Sequence, residues 1–79
     1  MAGRLPKSLY SKTYSHFLEL LRRARVNAGL TQVDLAQRLG RPQSFVSKCE
    51  SGERRVDVAE YLAFCKAIPI DPVSIIRQL

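Results

Sequence analysis

The sequence has 79 residues, of which 46 % are hydrophobic, so it holds one small domain that buries only about 60 % of its unfolded surface. No apolar run approaches the roughly 20 residues that cross a membrane, and the basic N-terminal residues are not followed by the apolar stretch of a signal peptide. We therefore expect a cytoplasmic protein without a membrane partner. The net charge is +6; residues 1–30 carry six basic side chains and one acidic one, whereas residues 57–79 carry two and three, and this asymmetry favours a polyanionic partner.

The first predicted helix follows a basic N-terminal segment. In residues 1–12, Gly3 and Pro6 interrupt any helical pattern, and we expect a flexible arm there. From about Thr13 the apolar residues recur at the i, i+3, i+4 spacing of one helix face. Gly29 ends this helix, since glycine adopts the left-handed conformation at low cost. The apolar positions are Phe17, Leu20, Leu21, Ala24 and Ala28.

Two short helices come next, joined by a glycine. Thr31 with Asp34 is typical of a capping box and opens the second helix, which Gly40 ends after about two turns. A third helix begins near Pro42, because proline is favoured at the first helical position, and it ends at Gly52. A tight turn after so short a helix makes the next helix cross it steeply, as in a helix-turn-helix.

Two further helices complete an all-α fold. Asp57 with Glu60 repeats the cap pattern and opens the fourth helix. Asp71 followed by Pro72 opens a last short helix that is expected to reach Leu79. The predicted buried side of the fourth helix consists of Val58, Tyr61, Leu62, Cys65 and Ile68.

The third predicted helix turns Val46 and Cys49 toward the core and an acid-free row of polar residues outward. Glutamine can bridge adenine N6 and N7, lysine can donate to guanine O6 and N7, and serine can pair with several base edges. An ordinary solvent-exposed helix face would also be polar, but the absence of acidic residues favours a face that lies in the groove of a polyanion. Phe45 beside the row is expected to pack partly on the second or fourth helix, the alternative being contact with a thymine methyl group or a sugar. The four polar residues are Gln43, Ser44, Ser47 and Lys48.

The segment LTQVDLAQRLGRPQSFVSKCESGERR, residues 30–55, resembles the helix-turn-helix of the Cro and phage-repressor family. The resemblance extends from about Phe17 to Pro72. It implies a five-helix, lambda repressor-like domain over residues 13–79, with a recognition helix at about residues 43–51 in the major groove of double-stranded DNA. Its marks are Thr31-Gln32, Leu35-Ala36, Gly40, Val46-Ser47, and Glu50 followed by Gly52.

The resemblance also implies roles for single residues. Gln43, Ser44 and Lys48 match the base-reading positions, and Ser47 matches a position that contacts base or backbone. Gln32 matches a glutamine that holds a DNA phosphate together with the N–H groups at the start of the second helix.

Other matched positions lie outside the reading row. Arg25 and Glu50 match a partly buried ion pair that ties the first helix to the third. Where relatives have a Ser or Thr cap, this chain has Arg41-Pro42, so the side-chain cap is lost and Arg41 is expected to reach a phosphate instead. The positions that match the loop gripping the DNA backbone are Ser51, Arg54 and Arg55.

The last predicted helix carries more apolar residues than one stripe over the core requires. The excess predicts a homodimer, and two-fold symmetry would match a palindromic operator. The four residues assigned to the dimer interface are Val73, Ile75, Ile76 and Leu79.

The remaining polar and sulfur-containing residues do not form a catalytic or metal-binding pattern. Cys49 and Cys65 are expected to be buried and unpaired, and with His16 alone they are too few and wrongly spaced for zinc. No nucleophile–base set or phosphate-binding glycine loop occurs, so we expect neither an enzyme nor a cofactor.

The predicted function is a sequence-specific, nucleoid-associated transcription regulator, in particular a repressor of bacterial or phage origin. The alternative is an antitoxin or bridging protein that uses the same scaffold to dock a protein partner. The arm over residues 1–12 would either follow the DNA backbone or a minor groove, or remain a disordered tail.

Overall fold

A computed structural model describes the backbone of residues 7–79 and the side chains of residues 12–79. The described residues form helices and no strand, which confirms the all-α prediction. None of these helices is both long enough and apolar enough to cross a membrane. In chain order they are α1 (Lys7–Asn27), α2 (Gln32–Leu39), α3 (Gln43–Ser51), α4 (Val58–Ala67) and α5 (Pro72–Ile76).

Helix α1 is longer than its apolar pattern predicts. It begins at Lys7 rather than near Thr13, because the residues between them include serines, which lower helix stability only slightly, but no glycine or proline. The second half of the arm expected over residues 1–12 is therefore helical, and residues 1–6 lie outside the described residues.

The predicted caps of α2 and α4 are present. The Thr31 hydroxyl accepts a hydrogen bond from the Asp34 N–H at 3.0 Å, and the Asp34 carboxylate accepts one from the Thr31 N–H at 2.9 Å. Asp57 and Glu60 form the same reciprocal pair at the start of α4. Helix α3 differs, since Pro42 is its N-cap rather than its first helical residue and gives no side-chain cap.

The core lies where α1, α2, α3 and α4 meet. Leu35, Val46 and Cys49 are fully buried in it, and Phe64 and Cys65 are almost so. Both cysteines are free and buried, as expected.

Two predictions about the C-terminal helices are wrong. Val58 and Leu62 are exposed, and Phe64 fills the core instead. Helix α4 is apolar on more than one stripe, and the stripe that is buried is the one whose Tyr61 contacts Phe17 of α1 and whose Phe64 contacts Phe45 of α3. Helix α5 ends at Ile76 rather than at Leu79.

Candidate nucleic-acid interface

Helices α2 and α3 form the predicted helix-turn-helix. The turn between them depends on Gly40, whose φ of 66° lies in the left-handed region, where a side chain would be strained. The Arg41 N–H donates to the Ala36 carbonyl oxygen at 3.0 Å and closes the turn. Val46 and Cys49 anchor α3 in the core, so its opposite side faces outward.

The outward side of α3 carries the predicted reading residues. Gln43, Ser44 and Lys48 are exposed, and Ser47 is partly buried. The structure places all four on one polar surface, and no carboxylate lies among them. This surface, defined by these four side chains, is called the reading face below.

A chain of hydrogen bonds supports one edge of the reading face. The Gln43 amide donates to the Gln32 side-chain oxygen at 3.1 Å, and the Gln32 amide donates to the Glu50 carboxylate at 2.9 Å. Glu50 also accepts two bonds from Arg25, at 2.6 and 3.1 Å, while Arg25 donates to the Leu30 carbonyl oxygen at 2.7 Å. The chain links α1, α2 and α3, and the predicted ion pair between Arg25 and Glu50 is confirmed.

This chain constrains what Gln32 and Gln43 can offer a ligand. Gln32 uses its oxygen and one amide hydrogen inside the protein, which leaves one amide hydrogen for the phosphate contact that the sequence predicts. Gln43 gives away one amide hydrogen and keeps its oxygen and the other hydrogen, the two groups that a bidentate contact with adenine needs.

A cationic cluster borders the other edge of the reading face. The guanidinium carbons of Arg41 and Arg54 lie 4.2 and 4.8 Å from the centre of the Phe45 ring, within cation–π distance. Phe45 is partly buried and contacts the Phe64 ring of α4 at a centroid distance of 6.1 Å. Its predicted partial packing on a neighbouring helix is confirmed.

One acid of this cluster was not predicted from the sequence. Glu60 forms a salt bridge with Arg54 at 2.8 Å, and its carboxylate lies 3.8 Å from Arg41. The hydrogen bonds from Arg54 are the main cause that lowers the pKa of the Glu60 carboxyl below its ordinary value, so Glu60 is ionised at neutral pH. Its cap position was recognisable in the sequence, but its contact with two arginines depends on the tertiary packing of α4 beside α3.

The loop after α3 holds the remaining predicted backbone contacts. The Ser51 hydroxyl donates to the Lys48 carbonyl oxygen at 3.1 Å and accepts from the Glu53 N–H at 3.4 Å. The Arg55 guanidinium lies 4.4 Å from the centre of the Tyr14 ring of α1, and the Tyr14 hydroxyl accepts from the Val56 N–H at 2.8 Å. These contacts fix the loop at the C-terminal end of α3.

The predicted dimer residues divide into two groups. Val73, Ile76 and Leu79 are each about half exposed, whereas Ile75 is only 3 % exposed and packs in the core. The assignment of Ile75 to an interface is therefore wrong, because it is the one residue of α5 that faces inward. Ile76 and Leu79 line an apolar groove of about 230 Å³ together with the exposed Val58.

Comparisons with known proteins agree with this geometry. A family model described as a helix-turn-helix domain matches residues 16–74. A solved structure, an XRE-family like protein from Pseudomonas syringae pv. tomato str. DC3000, is 50 % identical with a TM-score of 0.87, and the match covers 91 % of this chain and 88 % of that chain. No protein with curated annotation matches the chain significantly.

Proposed function

The chain belongs to the helix-turn-helix domain family whose model matches it over residues 16–74, and from this premise we propose that it is a transcription regulator that binds double-stranded DNA. More specifically, we propose a repressor of bacterial or phage origin that acts in the cytoplasm. The observation that carries the proposal is the acid-free reading face on α3, held rigidly by buried core residues and by the hydrogen-bond chain to Arg25.

In this proposal α3 enters the major groove and its side chains contact base edges. The Gln43 amide can donate to N7 and accept from N6 of adenine, and the Lys48 ammonium can donate to O6 and N7 of guanine. Ser44 and Ser47 have short hydroxyl side chains that pair less selectively with base edges. Because the hydrogen bond to Gln32 already orders the Gln43 side chain, binding to a base costs less side-chain conformational entropy. Sequence specificity therefore depends on these four residues.

The DNA backbone would be held on both sides of α3. The N-terminal end of α2 offers unpaired N–H groups and the partial positive charge of the helix dipole to one phosphate, with Gln32 beside it. The cluster and loop on the other side supply cations that attract phosphates whatever the base sequence. The residues proposed for the second side are Arg41, Ser51, Arg54 and Arg55.

We further propose that a second copy of this chain covers the groove near α5. Val58, Ile76 and Leu79 present a nearly uninterrupted apolar surface there, and residues 57–79 carry two basic and three acidic side chains, so two copies meet with little charge repulsion. A symmetric dimer would place two α3 helices on half-sites about one helical turn apart on a palindromic operator.

Selection of bound duplexes from a random DNA pool tests the proposed function. We expect the full chain to enrich a palindromic sequence and to bind it about a thousandfold or more tightly than a scrambled duplex at physiological salt. Failure to enrich any sequence, combined with equal affinity for all duplexes, would contradict a role in sequence-specific regulation.

A further inference from the structure

The carboxylate of Glu60 forms an ion pair with each of the two arginines of the cationic cluster, Arg41 and Arg54. One Glu60 oxygen accepts from a terminal nitrogen of Arg54 at 2.9 Å, and the other lies 2.8 Å from the second terminal nitrogen in an ion pair. The nearest Arg41 nitrogen lies 3.8 Å away. The Glu60 side chain is 18 % exposed, whereas the side chains of Arg41 and Arg54 are 47 % and 42 % exposed. The two arginine side chains therefore reach solvent, while the less exposed Glu60 carboxylate partly neutralises their charge.

The cluster lies beside the reading face. Phe45, on which both guanidiniums stack, precedes Lys48 by three residues and is its neighbour on the helix surface. A helix that lies in the major groove turns its outer face to the bases and its flanks toward the phosphate backbones that border the groove. The flank that carries Arg41 and Arg54 would thus face a backbone.

Carboxylate and phosphate oxygens compete for the same donors. A guanidinium binds either anion through two parallel hydrogen bonds. Both terminal nitrogens of Arg54 already face the Glu60 carboxylate, and one of them also donates to the Arg55 carbonyl oxygen at 3.1 Å. Glu60 does not swing away freely, because its carboxylate also accepts the Asp57 N–H at 3.0 Å as part of the α4 cap. A phosphate that approaches the cluster must displace Glu60 or bind beside its negative charge.

We propose that Glu60 occupies the place of a DNA phosphate between Arg41 and Arg54 and so weakens the sequence-independent affinity of the protein for DNA. The inference rests on the proposed DNA-binding function. Glu60 acts through the two arginines rather than through a contact of its own with DNA.

The substitution Glu60→Gln tests this competition. Glutamine keeps the side-chain oxygen that accepts the Asp57 N–H but removes the charge that holds the arginines. The matched control is Glu53→Gln, which removes one acid from the loop between α3 and α4, where the Glu53 side chain forms no hydrogen bond or ion pair with the described residues. Both variants are measured against a duplex of random sequence over a range of salt concentrations, with thermal unfolding as a check of the fold.

We expect Glu60→Gln to bind about three- to tenfold more tightly than Glu53→Gln at low salt. Its plot of log affinity against log salt should be steeper by about one, the change that one additional neutralised phosphate produces. In an Arg41→Ala and Arg54→Ala background, the advantage of Glu60→Gln over Glu53→Gln should disappear. In the wild-type protein, the carboxyl ¹³C resonance of Glu60 should shift when the duplex is added.

Equal affinities of the two variants, or weaker binding by Glu60→Gln, would overturn the competition, and so would a Glu60 resonance that DNA leaves unchanged. If the wild-type chain binds duplexes but the two variants behave alike, only this inference fails. If no form of the chain binds any duplex at low salt, the proposed function fails with it.

Discussion

At the scale of single residues, the buried pair of Arg25 and Glu50 links the core to the reading face. Their side chains are only 11 % and 6 % exposed, and each is satisfied by several hydrogen bonds. A buried ion pair of this kind adds little net stability, but removal of one partner leaves an uncompensated charge. The pair therefore makes the position of Gln32 and Gln43 depend on the α1–α3 contact.

We predict that Glu50→Ala lowers the free energy of unfolding by about 3–5 kcal/mol, because Arg25 is then buried without a counter-charge. Urea denaturation followed by circular dichroism measures this. Glu19→Ala, which removes an acid that contacts the exposed Arg22 and Arg23, is the control and should change the stability far less. A Glu50→Ala protein as stable as the control would show that the pair does not support the fold.

Residue roles could be predicted from the sequence only where a local pattern or a family motif marks them. The outward position of Lys48 and the pairing of Arg25 with Glu50 were both predicted correctly. The role of Glu60 beside Arg41 and Arg54 was not, because its cap position does not reveal which cations the folded chain brings to its carboxylate. Ile75 was misassigned because four apolar residues in nine do not reveal which one faces the core.

At the scale of elements, the helix starts that a capping box marks were more predictable than helix faces. A cap depends on residues three apart, and Thr31 with Asp34 and Asp57 with Glu60 form the expected bonds. The buried face of α4 depends on its partner helices, so the apolar pattern alone could not choose between Leu62 and Phe64. The start of α1 was placed too late for a related reason, since the apolar pattern marks where the core begins rather than where the helix begins.

The α2 cap yields a prediction at this scale. Thr31→Ala should lower the free energy of unfolding by about 1 kcal/mol, because the N–H of Asp34 loses its acceptor. Thr31→Ser keeps the hydroxyl and should be close to the wild type. Both are measured by thermal unfolding, and a Thr31→Ala protein as stable as Thr31→Ser would show that the capping box contributes nothing.

At the scale of the whole molecule, polar and apolar surfaces lie on different elements. The reading face and the cationic cluster belong to α3 and its flanking loops, whereas the exposed apolar residues lie mainly near α5 and the start of α4. This separation allows one surface to bind DNA while the other binds a second copy.

We predict that Ile76→Lys converts a dimer into a monomer at micromolar concentration, because a charge in the apolar groove disfavours burial. The control is Val26→Lys on α1, where valine is exposed to a similar degree outside the groove. Sedimentation velocity distinguishes the forms. A wild-type chain that is monomeric and still binds a palindrome tightly would contradict the proposed dimer.

A second DNA selection with Lys48→Ala tests whether the reading face of α3 contacts base edges. We expect the variant to enrich the wild-type sequence with the preference lost at one position of each half-site, and to bind the original sequence with a loss of about 1–3 kcal/mol. An enriched sequence identical to that of the wild type, with an unchanged ratio of affinities for selected and random DNA, would contradict it.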